Sequence, residues 1–101
     1  MATLYVSEFQ YMQNADDIGG VPQIAKFPAV ASQTVAIGSN SVQSESFDAL
    51  TRFVRVTTDA TCHIAVSADP TATTSSMRLG ADSVEYFGVA RGHKIAVIAG
   101  V

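Results

Sequence analysis

Along most of the chain apolar and polar side chains alternate with a period of two, the spacing at which successive residues point to opposite faces of an extended strand. Residues 3–9 open the pattern, with Leu4 and Val6 on one face and Tyr5, Ser7 and Phe9 on the other. The alternation is lost over residues 10–22, which hold Asp16-Asp17 and Gly19-Gly20 and read as a loop of moderate length. A second β segment begins at Gln23 and is confined by Pro28 to an edge or a strand end. Residues 32–37 follow, with Val35 and Ile37 set against Thr34 and Ala36, and Gly38-Ser39-Asn40-Ser41 turns the chain into a weakly alternating, exposed strand over 41–47. Residues 48–51 read as a helical turn or a link.

The second half is the more strongly patterned. Val54, Val56 and Thr58 point one way, and Asp59-Ala60 makes a short connection into residues 61–67, where Cys62, Ile64 and Val66 share a face. A Thr, Ser and Ala-rich stretch at about 69–76 has neither period and reads as a surface loop. Residues 77–79 form a short strand. Turns at Gly80-Ala81-Asp82 and Arg91-Gly92 separate two further runs, and the last, apolar without interruption from Ile95, has the character of a central strand covered on both faces. These runs together read as one antiparallel unit. No 3.6-residue period persists, and strands recurring at such short intervals with turn signals between them are the pattern of an all-β domain. The expectation is a single domain over residues 1–101, a small antiparallel β-sandwich or jelly-roll-like barrel of about seven to nine short strands.

Composition sharpens this picture in one respect. Of 101 residues 48% are hydrophobic and only 15% charged, below the roughly 25% charged that is usual. A monomer so poor in charge has difficulty covering its surface, which points to assembly with other chains or with itself, although Ser, Thr, Asn and Gln supply polarity of another kind. A net charge of −3, with six Lys and Arg scattered along the chain, argues against a nucleic-acid binder. The one cysteine rules out an intramolecular disulfide and fits folding in a reducing cytoplasm. The start of the chain lacks the pattern of a signal peptide, and no apolar run approaches the roughly 20 residues of a membrane-spanning helix.

Candidate chemistry changes the picture little. Cys62 and His63 suggest a thiol–imidazole pair, but neighbours on a strand point to opposite faces and cannot share the hydrogen bond a thiolate mechanism needs. His63, His93 and Asp59 or Asp69 do not have the spacing of a zinc site. Asp16-Asp17 with Gly19-Gly20 lacks the ligand alternation and terminal Glu of a calcium loop. The expectation is therefore no enzyme, no metal and no cofactor. Contact residues are better candidates: Tyr5, Phe9 and Tyr11 as an aromatic surface, with core packing the equal alternative for Phe9, and Thr73 and Thr74 in an adaptable loop.

Met1-Ala2-Thr3-Leu4-Tyr5-Val6-Ser7-Glu8-Phe9, the 52–60 stretch Arg-Phe-Val-Arg-Val-Thr-Thr-Asp-Ala, Met77-Arg78-Leu79, Glu85-Tyr86-Phe87-Gly88 and Lys94-Ile95-Ala96-Val97-Ile98 carry a resemblance. On these segments the chain resembles small virion structural proteins of tailed bacteriophages and prophages, of the capsid decoration or cement kind. The resemblance implies a non-enzymatic protein made in the host bacterial cytoplasm and carried in the virion. Its partners would be the major capsid protein or other virion proteins, together with copies of itself. The alternatives within the same reading are a neck, tail or head-fibre component, or a receptor- or glycan-binding module.

Overall fold

The computed structural model describes residues 2–10, 12–14, 23–25 and 28–100. Ten strands follow one another: β1 (Ala2–Phe9), β2 (Met12–Asn14), β3 (Gln23–Ala25), β4 (Ala31–Ile37), β5 (Val42–Gln43), β6 (Phe53–Thr58), β7 (Cys62–Ser67), β8 (Met77–Leu79), β9 (Val84–Gly88) and β10 (Lys94–Ala99). Eight of them form two four-stranded antiparallel sheets, ordered β4-β1-β6-β9 and β5-β10-β7-β8, while β2 and β3 pair as a separate two-stranded sheet among the described residues. The fold is all-β and sandwich-like, with no closed barrel, and among the described residues there is no helix.

The core lies between the sheets, and the period-two pattern accounts for it. Leu4, Val6, Val35, Ile37, Val54 and Val56 enter from the first sheet, and Cys62, Ile64, Leu79, Ile95 and Val97 from the second. On β6 alternation is complete, with Val54, Val56 and Thr58 buried and Phe53, Arg55 and Thr57 half-exposed. Each large aliphatic side chain buried this way contributes about 1.5–3 kcal/mol relative to an exposed position. β10 lies between β5 and β7, and Ile95, Ala96 and Val97 are all buried, so the uninterrupted apolar run does mark an inner strand.

Three sequence expectations need correction. The 10–22 stretch is not all loop, because Met12–Asn14 pairs with Gln23–Ala25. The strand expected over 41–47 is reduced to Val42–Gln43, and Ser44 and Phe47 are buried rather than exposed. Beyond Gln43 the chain still follows β10, with Ser44 N donating to Ile95 O and Phe47 N to His93 O. The second half is not one β unit, since β6 and β9 belong to one sheet and β7, β8 and β10 to the other. The connection through Asp59 and Ala60 therefore changes sheets. Thr58 Oγ1 donates to Ala60 O, and Asp59 Oδ1 accepts from Thr3 N, so polar side chains at the corner bind the backbone that a hairpin ladder would otherwise bind.

Residues 69–76 form the loop expected of them, and the structure adds where it lies. Thr71, Thr73, Thr74 and Ser75 are exposed, but Pro70 and Ala72 are buried. Gln43 Nε2 donates to Pro70 O, Ala72 N donates to Ser41 Oγ, and His63 Nδ1 lies 3.0 Å from Ser76 O. His63, Ala65, Ala96 and Gln43 occupy the outer side of the second sheet by register. The loop is thus a strap across that side, which explains why Ala96 is buried although it points away from the core.

Candidate functional site

With the strap over the second sheet, the broad surface that the described residues leave exposed is the outer side of the first, away from its buried Phe9 end. Strand register sets two rows across it: Thr34, Tyr5, Thr57 and Val84, then Ser32, Ser7, Arg55 and Tyr86. These are the residues of opposite parity to the core positions, so the alternation that buries Leu4, Val6, Val54 and Val56 presents them to solvent. Tyr5 is 44% exposed, Tyr86 53% and Val84 40%, and Ser32 and Thr34 are exposed beside them. Arg55 is the one charged side chain in the two rows. A shallow depression on it is lined by Tyr5, Ser7, Ser32, Gln33 and Thr34. Tyrosine offers large, rigid, amphipathic contact area at low entropic cost, and Ser and Thr add adaptable hydrogen bonds. An exposed sheet face of this chemistry suits a macromolecular surface; small-molecule sites are concave.

The structure separates the sequence-derived contact residues. Tyr5 lies on this face. Phe9 takes the packing alternative: it is 1% exposed, and its ring stacks on Phe53 at a centroid separation of 5.3 Å. Tyr11 lies outside the described residues. Thr73 and Thr74 are exposed, but on the strap over the opposite sheet. The Thr73 hydroxyl accepts from Ser75 N and lies near Ser76 Oγ, so it holds the turn as well as facing solvent. Tyr86, Val84 and Arg55 are absent from the sequence-derived candidates. The available signal for Tyr86 is its parity in a strand whose neighbour Phe87 points inward.

The structure keeps Cys62 and His63 apart. Cys62 is fully buried on the core side of β7, and His63 lies on the other side under the strap. Burial pushes the Cys62 thiol above its ordinary value of 9.0, with a smaller contribution from the nearby Asp59 carboxylate, while the Thr58 hydroxyl acts in the opposite direction. In the folded protein the thiol therefore stays protonated and shielded. We expect alkylation of Cys62 by maleimide at neutral pH to be on the order of a hundredfold slower in native protein than in urea. Equal rates in both states would refute the buried placement. The sign of the linkage also follows: the folded state holds the proton more tightly, so this group's contribution to stability is intact below the unfolded thiol's ionisation and declines as pH rises through it.

Among the described residues no three His, Cys, Asp or Glu side chains come together as a metal site. The buried carboxylate of Glu8, absent from the sequence-derived candidates, accepts hydrogen bonds from Thr51 Oγ1 at 2.7 Å, Asp48 N at 2.8 Å and Gln33 Nε2 at 3.0 Å. Its parity with Leu4 and Val6 on β1 is the available clue. Through these three donors Glu8 joins β1, β4 and the 48–51 turn into one framework. In comparisons with known proteins, no family model, no curated protein and no solved structure matches the chain.

Proposed function

We propose that the protein is a non-enzymatic structural component of a tailed-bacteriophage virion, a capsid decoration or cement protein that binds the major capsid protein in many copies. The observation that carries the reading is the outer face of the first sheet, exposed, nearly uncharged, and built from Tyr5, Tyr86, Val84 and hydroxyl side chains around Arg55. The low charged fraction of the chain and its resemblance to small virion proteins support the same assignment. Repetition would do the energetic work: a contact too weak to persist alone becomes stable when linked copies engage a regular lattice.

The test is to mix purified protein with phage shells that lack it and to image the mixture. Regularly spaced added density over the shell is expected. Tyr5→Ala combined with Tyr86→Ala should leave the melting temperature nearly unchanged and weaken shell binding by roughly tenfold or more, because exposed tyrosines are typical interface anchors. Density confined to the portal vertex would move the protein to the neck or a fibre. No binding to any part of the particle would overturn the reading.

A further inference from the structure

The two flanks of the sandwich are closed differently. On the β4–β5 side, Gln33 Oε1 accepts from Glu45 N and the 44–47 segment runs along β10. On the β8–β9 side the sheets part, leaving an open groove lined by Ile64, Val66, Met77, Glu85, Tyr86 and Phe87. Met77 is 49% exposed there, and Glu85 is the only charged residue of the lining. β9 is also the edge strand of its sheet. Val89 N donates to Arg52 O, which sets the phase of the β6–β9 ladder: Phe87 and Glu85 bond inward to β6, and Val84, Tyr86 and Gly88 direct their N–H and C=O groups outward. An occupant of this edge must be an extended segment of about five residues. It must place an apolar side chain beside Phe87 and a cation beside Glu85.

The chain contains such a segment. Gln23-Ile24-Ala25-Lys26-Phe27 is bounded by Pro22 and Pro28, which limit a strand to these five residues, and Lys26 is the only Lys or Arg before Arg52. Its described part, β3, pairs with β2 and with neither four-stranded sheet, and a two-stranded ribbon is marginal without further packing. Antiparallel to β9 with Ala25 opposite Tyr86, the segment sets Lys26 against Glu85, Ile24 against Phe87, Gln23 against Gly88 and Phe27 against Val84. Gln23, Ala25 and Phe27 then supply the N–H groups that meet the free edge, and none of them is proline.

The segment cannot reach this edge within its own chain. Val30 N donates to Glu8 O, which fixes Val30 in line with β4. From there Lys26 can extend no more than about 14 Å, at up to 3.6 Å per residue. The open side of β9 lies four strand spacings away, about 19 Å. We propose that residues 23–27 of a second copy add to β9 as a fifth strand of the first sheet, held by the edge hydrogen bonds, by Ile24 in the groove and by the Lys26–Glu85 pair. Strand addition of this kind draws its affinity from the main chain and its selectivity from alternate side chains.

Charge reversal tests the register. Wild-type protein is expected to self-associate in light-scattering measurements at concentrations up to on the order of 100 µM. Glu85→Lys alone and Lys26→Glu alone should each weaken association roughly a hundredfold, since like charges are then juxtaposed. Combining them should restore it to within roughly fivefold, because the pair is re-formed with opposite sense. Ala25→Pro, which removes the central N–H, should abolish association while thermal melting shows the sandwich still folded. In a mixture of heavy- and light-isotope chains, carbodiimide should link Lys26 of one isotope to Glu85 of the other. A wild-type monomer at every concentration, an oligomer indifferent to both reversals, or a double variant no better than the single ones would overturn the proposal.

Discussion

Glu8→Ala is expected to destabilise the fold by about 3–4 kcal/mol, a large part of the 5–15 kcal/mol that usually holds a domain together. The side chain is 2% exposed and receives hydrogen bonds from three separate places in the chain. Its removal leaves the Thr51 hydroxyl, whose residue is fully buried, and the Asp48 N–H facing a void with no acceptor. Each orphaned buried donor costs about 1–3 kcal/mol. Glu8→Gln should cost only about 1 kcal/mol, because the amide oxygen can still accept from Thr51 and Asp48 and only the bond from Gln33 meets a second donor. Urea denaturation followed by circular dichroism measures both. A shift in midpoint at constant slope is the expected form, and a Glu8→Ala cost below about 1 kcal/mol would show that the network does not hold the 48–51 turn.

Phe47→Ala is the second large effect, about 3–5 kcal/mol. Phe47 lies outside any strand but is 3% exposed and belongs to the core cluster with residues of both sheets. Its place is set by two backbone bonds, Ser44 N to Ile95 O and Phe47 N to His93 O, and by Ile95 N donating to the Ser44 hydroxyl. Truncation removes the ring from a site whose walls are strands fixed by their own ladders, so collapse into the cavity is limited. Phe47→Leu refills much of the volume and should cost less than about 1.5 kcal/mol. Comparable losses for Ala and Leu would mean that the ring's shape, not its volume, governs the site.

The two effects differ in how far the sequence discloses them. Glu8 shares parity with Leu4 and Val6, so alternation alone places a carboxylate on the core side. Phe47 has no comparable signal, because the weak alternation over 41–47 describes a strand that the structure does not form beyond Gln43. The strap at 69–76 is similar. Its Thr and Ser residues have the composition of a solvated loop, yet Pro70 and Ala72 are buried because Gln43, Ser41 and His63 tie the loop across a sheet. Of the contact residues, Tyr5 is legible from its parity; Tyr86 carries the same signal, and its place beside Arg55 comes only from the pairing of β6 with β9.

What the sequence determined by itself is local: which stretches extend, where they turn, and which side of each strand is apolar. Val35 and Ile37, Val54 and Val56, Cys62 and Ile64, and Ile95 and Val97 are buried as their alternation dictates, because period two is a property of the extended backbone and needs no partner. Tertiary structure alone decided which strands pair. A buried face on β6 and a buried face on β7 are satisfied equally by a hairpin within one sheet or by two sheets facing each other, and no residue in either run distinguishes these arrangements. The choice depends on closing one core among all eight strands at once. That same closure decides that the β4–β5 flank is sealed, that the β8–β9 flank stays open, and that Tyr5 and Tyr86 share an exposed face.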